Sequence, residues 1–430
     1  MFFPEPTSNY NLAILLFLQL AIIILACRGV AWIAKKFLGQ PTVVGEMIAG
    51  VVLGPSLVGM YFPQFNASLF SKPSLSIIYA IAQIGLVLYM FLVGLEFNVG
   101  LIRSRLRSAL SVSIAGIVTP FALGSLLALV YVHDRTLFTE GVTKVEAMLF
   151  MGAAMSITAF PMLARIIYER GLSGTSLGTL ALAAGSSDDA AAWCILAIVL
   201  ASFKGEASLA AAAIGGGIAY ALVLFIVARP WLARLETLAA KEKQLTNPML
   251  SFVLILLMVG AWFTDAIGIY AVFGAFMLGA AMPRGFLNER LQATLGPLVT
   301  TFLLPLFFVY SGLNTRIGLI STAHLWMIAL VILIAAIVGK FAATTLAARL
   351  NGEPWRESLG IGALMNSRGL MELIILNIGL EAGLITPTLF SIMVIMAIVT
   401  TLMATPLFEW ICGRHVKRGP IPGVMTVLDG

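Results

Sequence analysis

The sequence predicts an all-α polytopic membrane protein of about thirteen transmembrane helices, with the N-terminus outside and the C-terminus cytoplasmic, on three observations. Of its 430 residues, 60% are hydrophobic and only 11% are charged, against roughly 25% charged in soluble domains. Long apolar stretches recur from Asn11 almost to Cys412, so the hydrophobic segments are the fold itself rather than one anchor on a soluble body. The third observation is where the cations fall. The segments centre near residues 22, 50, 86, 120, 157, 189, 218, 257, 274, 305, 335, 370 and 399, and with the N-terminus outside each odd segment runs into the cytoplasm. Of the 26 Lys and Arg residues, eighteen then lie at cytoplasmic ends, from Lys35 and Lys36 to Lys417 and Arg418. Five lie at external ends: Lys72, Arg135, Lys144, Lys204 and Arg316. A miscounted helix in the middle would scramble this positive-inside bias. The net charge of +6 is therefore a topology signal, and no nucleic-acid partner is expected.

The first segment, from Tyr10 to about Ile33, lacks a basic leader and is longer than a secretory h-region, so it is expected to be retained. Arg28 snorkels from it toward the cytoplasm. The second, PTVVGEMIAGVVLGPSLVG (41–59), sets Glu46 among Gly45, Gly50 and Gly54. The glycines suit close helix packing, and Glu46 reads either as an interfacial helix-start residue or as a cavity acid. Segments three and four are apolar, with Glu96 near a solvated end. In the fifth, AAMSITAFPMLAR (153–165), Pro161 sits mid-run after Ser156 and Thr158. Proline removes an amide donor and clashes with the preceding turn, freeing carbonyls near Ile157 and Thr158.

The sixth segment carries AGSSDDAAAW (184–193), with Asp188 and Asp189 adjacent inside an apolar run. Neighbours on a helix point about 100° apart, so the two carboxylates face different surroundings. One can pair with a buried base while the other faces a water-filled cavity. A carboxylate in a low-dielectric cavity favours its protonated form, so Na⁺ or K⁺ and H⁺ compete for it. Competition couples two ions if the site opens to one side at a time. The plainer reading is a polar pair buried for packing specificity.

Between the seventh and eighth segments the charged linker Arg229 to Asn247 fits an amphipathic interfacial helix. The eleventh, LIAAIVGKFAATTL, places Lys340 near mid-bilayer, where a charge costs roughly 2.5–3.5 kcal/mol on insertion scales and marks a functional site with an acidic partner. The alternative is a lysine one or two turns from the interface that snorkels. The twelfth, IGALMNSRGLMELI (361–374), is interrupted by Asn366, Ser367, Arg368, Gly369 and Glu372. Unwound backbone is tolerated at that depth only when buried in protein or lining a cavity. Arg368 and Glu372, four residues apart, pair on one face or offset half-helix dipoles. Paired interrupted segments in two halves of a chain point to a transporter's binding site. The thirteenth segment ends near Glu409, and the tail RHVKRGPIPGVMTVLDG has no helical period and ends abruptly, as at a truncation. His133, His324 and His415 lie in loops or at ends and offer no proton relay, and Cys27, Cys194 and Cys412 suggest neither disulfides nor a metal cluster.

Six stretches in order, GEMIAGVVLGPSLVG, LVLYMFLVGLEF, SITAFPMLARII, SSDDAAAW, the lysine of VGKFAA and MNSRGLMELIILNIG, resemble the cation:proton antiporter-2 family of monovalent cation/proton antiporters. The likeness runs from about residue 10 to 412. It implies the sodium/proton antiporter fold, with inverted repeats and two crossed discontinuous helices, here the segments near 157 and 370. It divides the transmembrane domain, 1–412, into dimerisation helices of a homodimer (about 10–75 and 208–313) and core ion-translocation helices (about 76–201 and 323–412), followed by a cytoplasmic tail, 413–430. It assigns ion and proton binding to Asp189 foremost and to Asp188 beside it, both ligands of the transported cation, a charged pair to Asp188 and Lys340 of the kind associated with electrogenic members, and a cation-site contribution to Thr158, with Ser156 a weaker match. Asn366, Arg368, Glu372 and Pro161 support the broken helices. The resemblance implies transported Na⁺ or K⁺ and H⁺, no cofactor, no enzymatic activity, and a bacterial inner membrane. At RGLMEL the chain departs from the glutathione-gated potassium efflux branch and no nucleotide-binding domain follows, so gating of that kind is not expected.

Two other classes compete. A symporter of organic solutes on the same fold would keep crossed helices but seldom the Asp–Lys combination. An intramembrane Mg²⁺-dependent prenyltransferase would offer a third acid one turn on, where this chain reads AAAW after Asp189. Broken helices meeting at buried charges also suit alternating access better than a channel's open pore.

Overall fold

A computed structural model of the chain describes residues 8–40, 42–96, 106–160, 175–203, 207–267 and 271–413, together with positions 163, 166, 167, 170 and 172. The described chain is helical, with no strand formed among the described residues. In order it runs α1 (Asn9–Leu38), α2 (Thr42–Leu53), two short helices (Val58–Tyr61 and Pro63–Leu69), α3 (Lys72–Glu96), α4 (Leu106–Tyr131), α5 (Lys144–Ser156), α6 (Ser176–Phe203) and α7 (Ala207–Leu222). π turns over Val223–Ala228 lead into α8 (Arg229–Glu242), then come α9 (Asn247–Ala266), α10 (Ala271–Ala281), α11 (Phe286–Leu298), further π turns over Val299–Leu303 and α12 (Leu304–Leu313). The chain closes with α13 (Ala323–Leu350), α14 (Trp355–Met365), α15 (Leu370–Glu381) and α16 (Pro387–Cys412).

Nine helical spans among the described residues are long and apolar enough to cross a membrane. Of the other expected segments, those near 157 and 370 are broken, the one near 274 is the 11-residue α10, and the one near 189 is the 28-residue α6, long enough to cross at about 1.5 Å per residue. Helix starts follow local chemistry. Thr143 and Glu146 form a capping box at α5, the Glu146 amide donating to Thr143 Oγ1 at 3.2 Å and the Thr143 amide to Glu146 Oε2 at 2.7 Å, which satisfies two otherwise orphaned donors. Thr322 and Thr386 cap α13 and α16 in the same sense.

The chain separates into two compact units. One comprises Met1–Ile24, Phe70–Asn98 and Trp193–Tyr310, the other Leu25–Leu69, Val99–Ala192 and Ser311–Gly430. In the first, α3 and α10 cross glycine on glycine: a Cβ added to Gly279 would stand 2.9 Å from Gly94 Cα and from Leu95 N. Small residues let helix backbones approach and gain dispersion contact where apolar lipid supplies no hydrophobic drive. Gly279→Val is therefore expected to cost about 1–3 kcal/mol from overpacking and to lower the melting temperature of the detergent-solubilised protein by several degrees in scanning fluorimetry. Unchanged melting would mean the crossing is loose. In the same unit the charged linker is the helix α8, whose Glu236 accepts from the amides of Phe286 and Leu287 at 2.9 and 2.8 Å, capping α11.

The second unit holds α4, α5, α13, α14, α15 and α16. Glu46 is buried there on α2, 2% exposed, so it is no solvated helix-start residue. Glu409, which the sequence places near the end of the thirteenth segment, is half-buried and paired with Arg170 at 3.0 Å. At the ends of α5 and α15 farthest from the breaks, the loops preceding α5 and following α15 are stitched together. Phe138 and Ile385 form a lone antiparallel bridge, the Thr386 amide donates to the Leu137 carbonyl at 2.9 Å, and the Thr139 amide donates to the Leu384 carbonyl at 3.3 Å.

Candidate functional site

Two helix breaks meet inside the second unit. α5 stops because Ile157 turns extended, φ −70° and ψ 133°, and Ile157–Ala159 continue without helical bonds. Helical bonding resumes where the Leu163 amide donates to the Ala159 carbonyl at 3.0 Å. Pro161, expected to cause the break, lies outside the described residues. The second break runs from Asn366 to Gly369, between α14 and α15. The two touch backbone to backbone: the Ala159 amide donates to the Ser367 carbonyl at 3.1 Å.

A helix C-terminus leaves unpaired carbonyls and the negative end of its dipole. At α5 two buried cations take them. Arg368 donates from Nη1 to the Ala154 carbonyl at 3.0 Å and from Nη2 to the Met155 carbonyl at 2.6 Å. Lys340 Nζ, from α13, donates to the Ser156 carbonyl. The Ser156 hydroxyl turns back to the Ala153 carbonyl at 2.9 Å, so it is the carbonyl of Ser156 that faces the lysine.

Lys340 Nζ also lies 3.5 Å from Asp188 Oδ2, with both side chains wholly buried. Thr158, in the first break, donates its hydroxyl to that same oxygen at 2.5 Å, and Ser113 on α4 stands beside the carboxylate. Asp188 Oδ1 is buried without a hydrogen-bond partner among the described residues. Glu372 sits in the first turn of α15, where a carboxylate offsets the positive helix end, and lies 3.4 Å from Arg368 Nη1. Burying four charges is tolerable only when they neutralise one another. Here each cation divides itself between a carboxylate and the α5 carbonyls.

The structure thus brings together Ser156, Thr158, Asp188, Lys340, Arg368 and Glu372. Asn366, fully buried, stands at the end of α14 and donates to the Ile337 carbonyl on α13 at 3.4 Å. Asp189 is one position further along α6, so about 100° round the helix from Asp188; its side chain lies outside the described residues. Three residues escape the sequence reading. Ser113 and Gly116 belong to a helix that reads as plainly apolar, yet a Cβ on Gly116 would stand 2.7 Å from Thr344 Cγ2 and 4.0 Å from both Asp188 Oδ2 and Lys340 Cε. Glycine there lets α4 close over the ion pair, and the only signal is the small-residue spacing of 113, 116 and Pro120. Thr401 on α16 is the third; it accepts from the Arg368 amide at 3.0 Å.

Chemically, the site offers hard oxygens from a carboxylate, a hydroxyl and peptide carbonyls, the ligands that replace a monovalent cation's hydration shell. It sets an ammonium against them as a competing cation.

The sodium/hydrogen exchanger, transmembrane, family profile matches residues 11–413. The chain is 39% identical over 399 residues to the Na⁺/H⁺ antiporter NhaS4 of Synechocystis sp., covering 92% of this chain and 97% of that one. It is 32% identical over 434 residues to the K⁺/H⁺ antiporter 1 of Saccharomyces cerevisiae, covering 98% of this chain and 49% of that protein, so it spans about half of that relative. Among solved structures it resembles the sodium proton antiporter MjNhaP1 from Methanocaldococcus jannaschii, with a TM-score of 0.61 at 16% identity over 93% of this chain and 96% of that one. At that identity the likeness establishes the fold.

Proposed function

The chain belongs to the sodium/hydrogen exchanger family of transmembrane proteins, and on that premise we propose that it is a secondary active antiporter exchanging Na⁺ or K⁺ for H⁺. The observation that carries the reading is the buried Lys340–Asp188 pair, 3.5 Å apart, set where two unwound helices touch. A charged pair wholly withdrawn from water is costly as packing and suits a site whose occupancy changes. Asp189 is the acid that holds either the cation or the proton. Thr158 and the carbonyls of the first break complete the cation's oxygen shell, and Lys340 is released from Asp188 when a second positive charge arrives. Because cation and proton exclude one another, a site open to one side at a time couples their opposite flows without any covalent chemistry.

The helices of about 76–201 and 323–412 are assigned the translocating role, and those of about 10–75 and 208–313 the contacts of a homodimer. The assignment includes about thirteen crossings, an external N-terminus and a cytoplasmic C-terminus in a bacterial inner membrane, supported by the positive-inside distribution of Lys and Arg. The test is dequenching of a ΔpH dye in acid-loaded everted vesicles on adding NaCl, KCl or LiCl. Dequenching by at least one cation is expected. Silence with all three, with the protein shown to be in the membrane, would overturn the reading.

A further inference from the structure

We infer that Thr401 is a positioning residue of the exchange site: its hydroxyl splints the peptide of the second helix break on which the first break rests. The inference deepens the exchange reading and rests on it. Residues 366–369 have no helix of their own, so their backbone groups must find partners elsewhere, because an unpaired amide or carbonyl is costly away from water. The Arg368 peptide finds both on one side chain. Its N–H donates to Thr401 Oγ1 at 3.0 Å, and the Thr401 hydroxyl donates to its carbonyl at 2.8 Å. Thr401 lies on the continuous helix α16 and is 1% exposed, which makes it a rigid anchor.

What it anchors is the junction of the two breaks. On one flank of the Arg368 peptide, Ser367 accepts the Ala159 amide at 3.1 Å, and Ala159 follows the threonine that holds Asp188. On the other flank, the Arg368 side chain grips the carbonyls of Ala154 and Met155. A shift at residue 368 therefore reaches the first break both before and after Ile157. Thr401 acts through that peptide and not on the ion. Its hydroxyl proton has an alternative acceptor in its own helix, the Ala397 carbonyl at 2.7 Å, which is the usual resting place for a helical threonine. The single proton is shared between the carbonyls of Ala397 and Arg368, whereas the oxygen accepts the Arg368 N–H whichever way the proton points, and that acceptance is a use of the hydroxyl beyond what α16 itself requires.

The experiment compares T401V, T401S and T401A with the wild-type full chain in proteoliposomes, reading apparent KM and maximal rate for Na⁺ and for K⁺ alongside thermal melting. Valine keeps the shape and removes the hydroxyl; serine keeps the hydroxyl. T401V is expected to raise the apparent KM by about tenfold, the worth of a buried hydrogen bond, and to change the Na⁺-to-K⁺ KM ratio, while T401S stays at wild type. Wild-type KM and ratio in T401V would overturn the inference, as would T401S being impaired as much as T401V, since packing by the methyl would then be the whole role. If T401V does not accumulate in the membrane, T401A decides by the same KM criterion. No cation-dependent flux from wild-type protein would sink this inference together with the exchange reading. Normal wild-type flux with unaltered T401V kinetics overturns this one alone.

Discussion

Asp189→Asn is expected to reduce cation-dependent proton flux to that of vesicles lacking the protein, with the variant still inserted at wild-type level. Asparagine preserves size and one acceptor oxygen but can neither carry a proton nor bring a negative charge to a cation, so both halves of the exchange stop together. The measurement is the everted-vesicle dye response to NaCl, KCl and LiCl, with membrane abundance read by immunoblot. Asp188→Asn is the informative contrast. It leaves an oxygen for the Thr158 hydroxyl, which stands at 2.5 Å in the wild type, while removing the counter-charge of Lys340, so residual exchange is expected. Normal exchange by the Asp189 variant, or equal and total loss in both, would contradict the division of labour between the neighbours.

Lys340→Ala is expected to act on both stability and coupling. The lysine neutralises a wholly buried Asp188 and supplies a donor to the Ser156 carbonyl. Deleting one partner of a buried pair typically costs about 3–5 kcal/mol, because the survivor is left uncompensated. Melting of the variant should drop accordingly, and the double variant with Asp188→Asn should recover much of the loss, a coupling that a thermodynamic cycle reads directly. In proteoliposomes the single variant should exchange more slowly and no longer shift a potential-sensitive dye. Unchanged melting in the single variant would mean that Lys340 bears no charge in the resting protein. A preserved dye response would remove it from the charge bookkeeping of transport.

The parts of this site written in local chemistry were legible in advance. Asn366 to Gly369 announced a break because no apolar helix accommodates that run, and the depth of Lys340 demanded an acid, which Asp188 supplies. What was hidden is tertiary. Arg368 and Glu372 suggested a pair along one helix face, and at 3.4 Å they form one, but the shorter bonds of the arginine go to carbonyls of α5, more than 200 residues away in sequence. Ser156 attracted notice for its hydroxyl, and its carbonyl faces the lysine. Neither spacing nor composition shows which carbonyls a break exposes. Gly116 and Ser113 sat in a helix whose apolar period masked the face turned to the ions. The apolar runs announced helices, nine of them long and apolar enough to cross a membrane among the described residues, while the division into two units places α3 in the first unit and residues 25–69 in the second, a partition set by packing that the order of segments does not announce.

The stitch between residues 136–139 and 383–386 has a mechanical consequence. α5 and α15 are fastened at one end by that bridge and at the other by the guanidinium of Arg368, so the two form a closed brace that resists sliding of one strut past the other. A change of access that parted them would have to unfasten both ends at once.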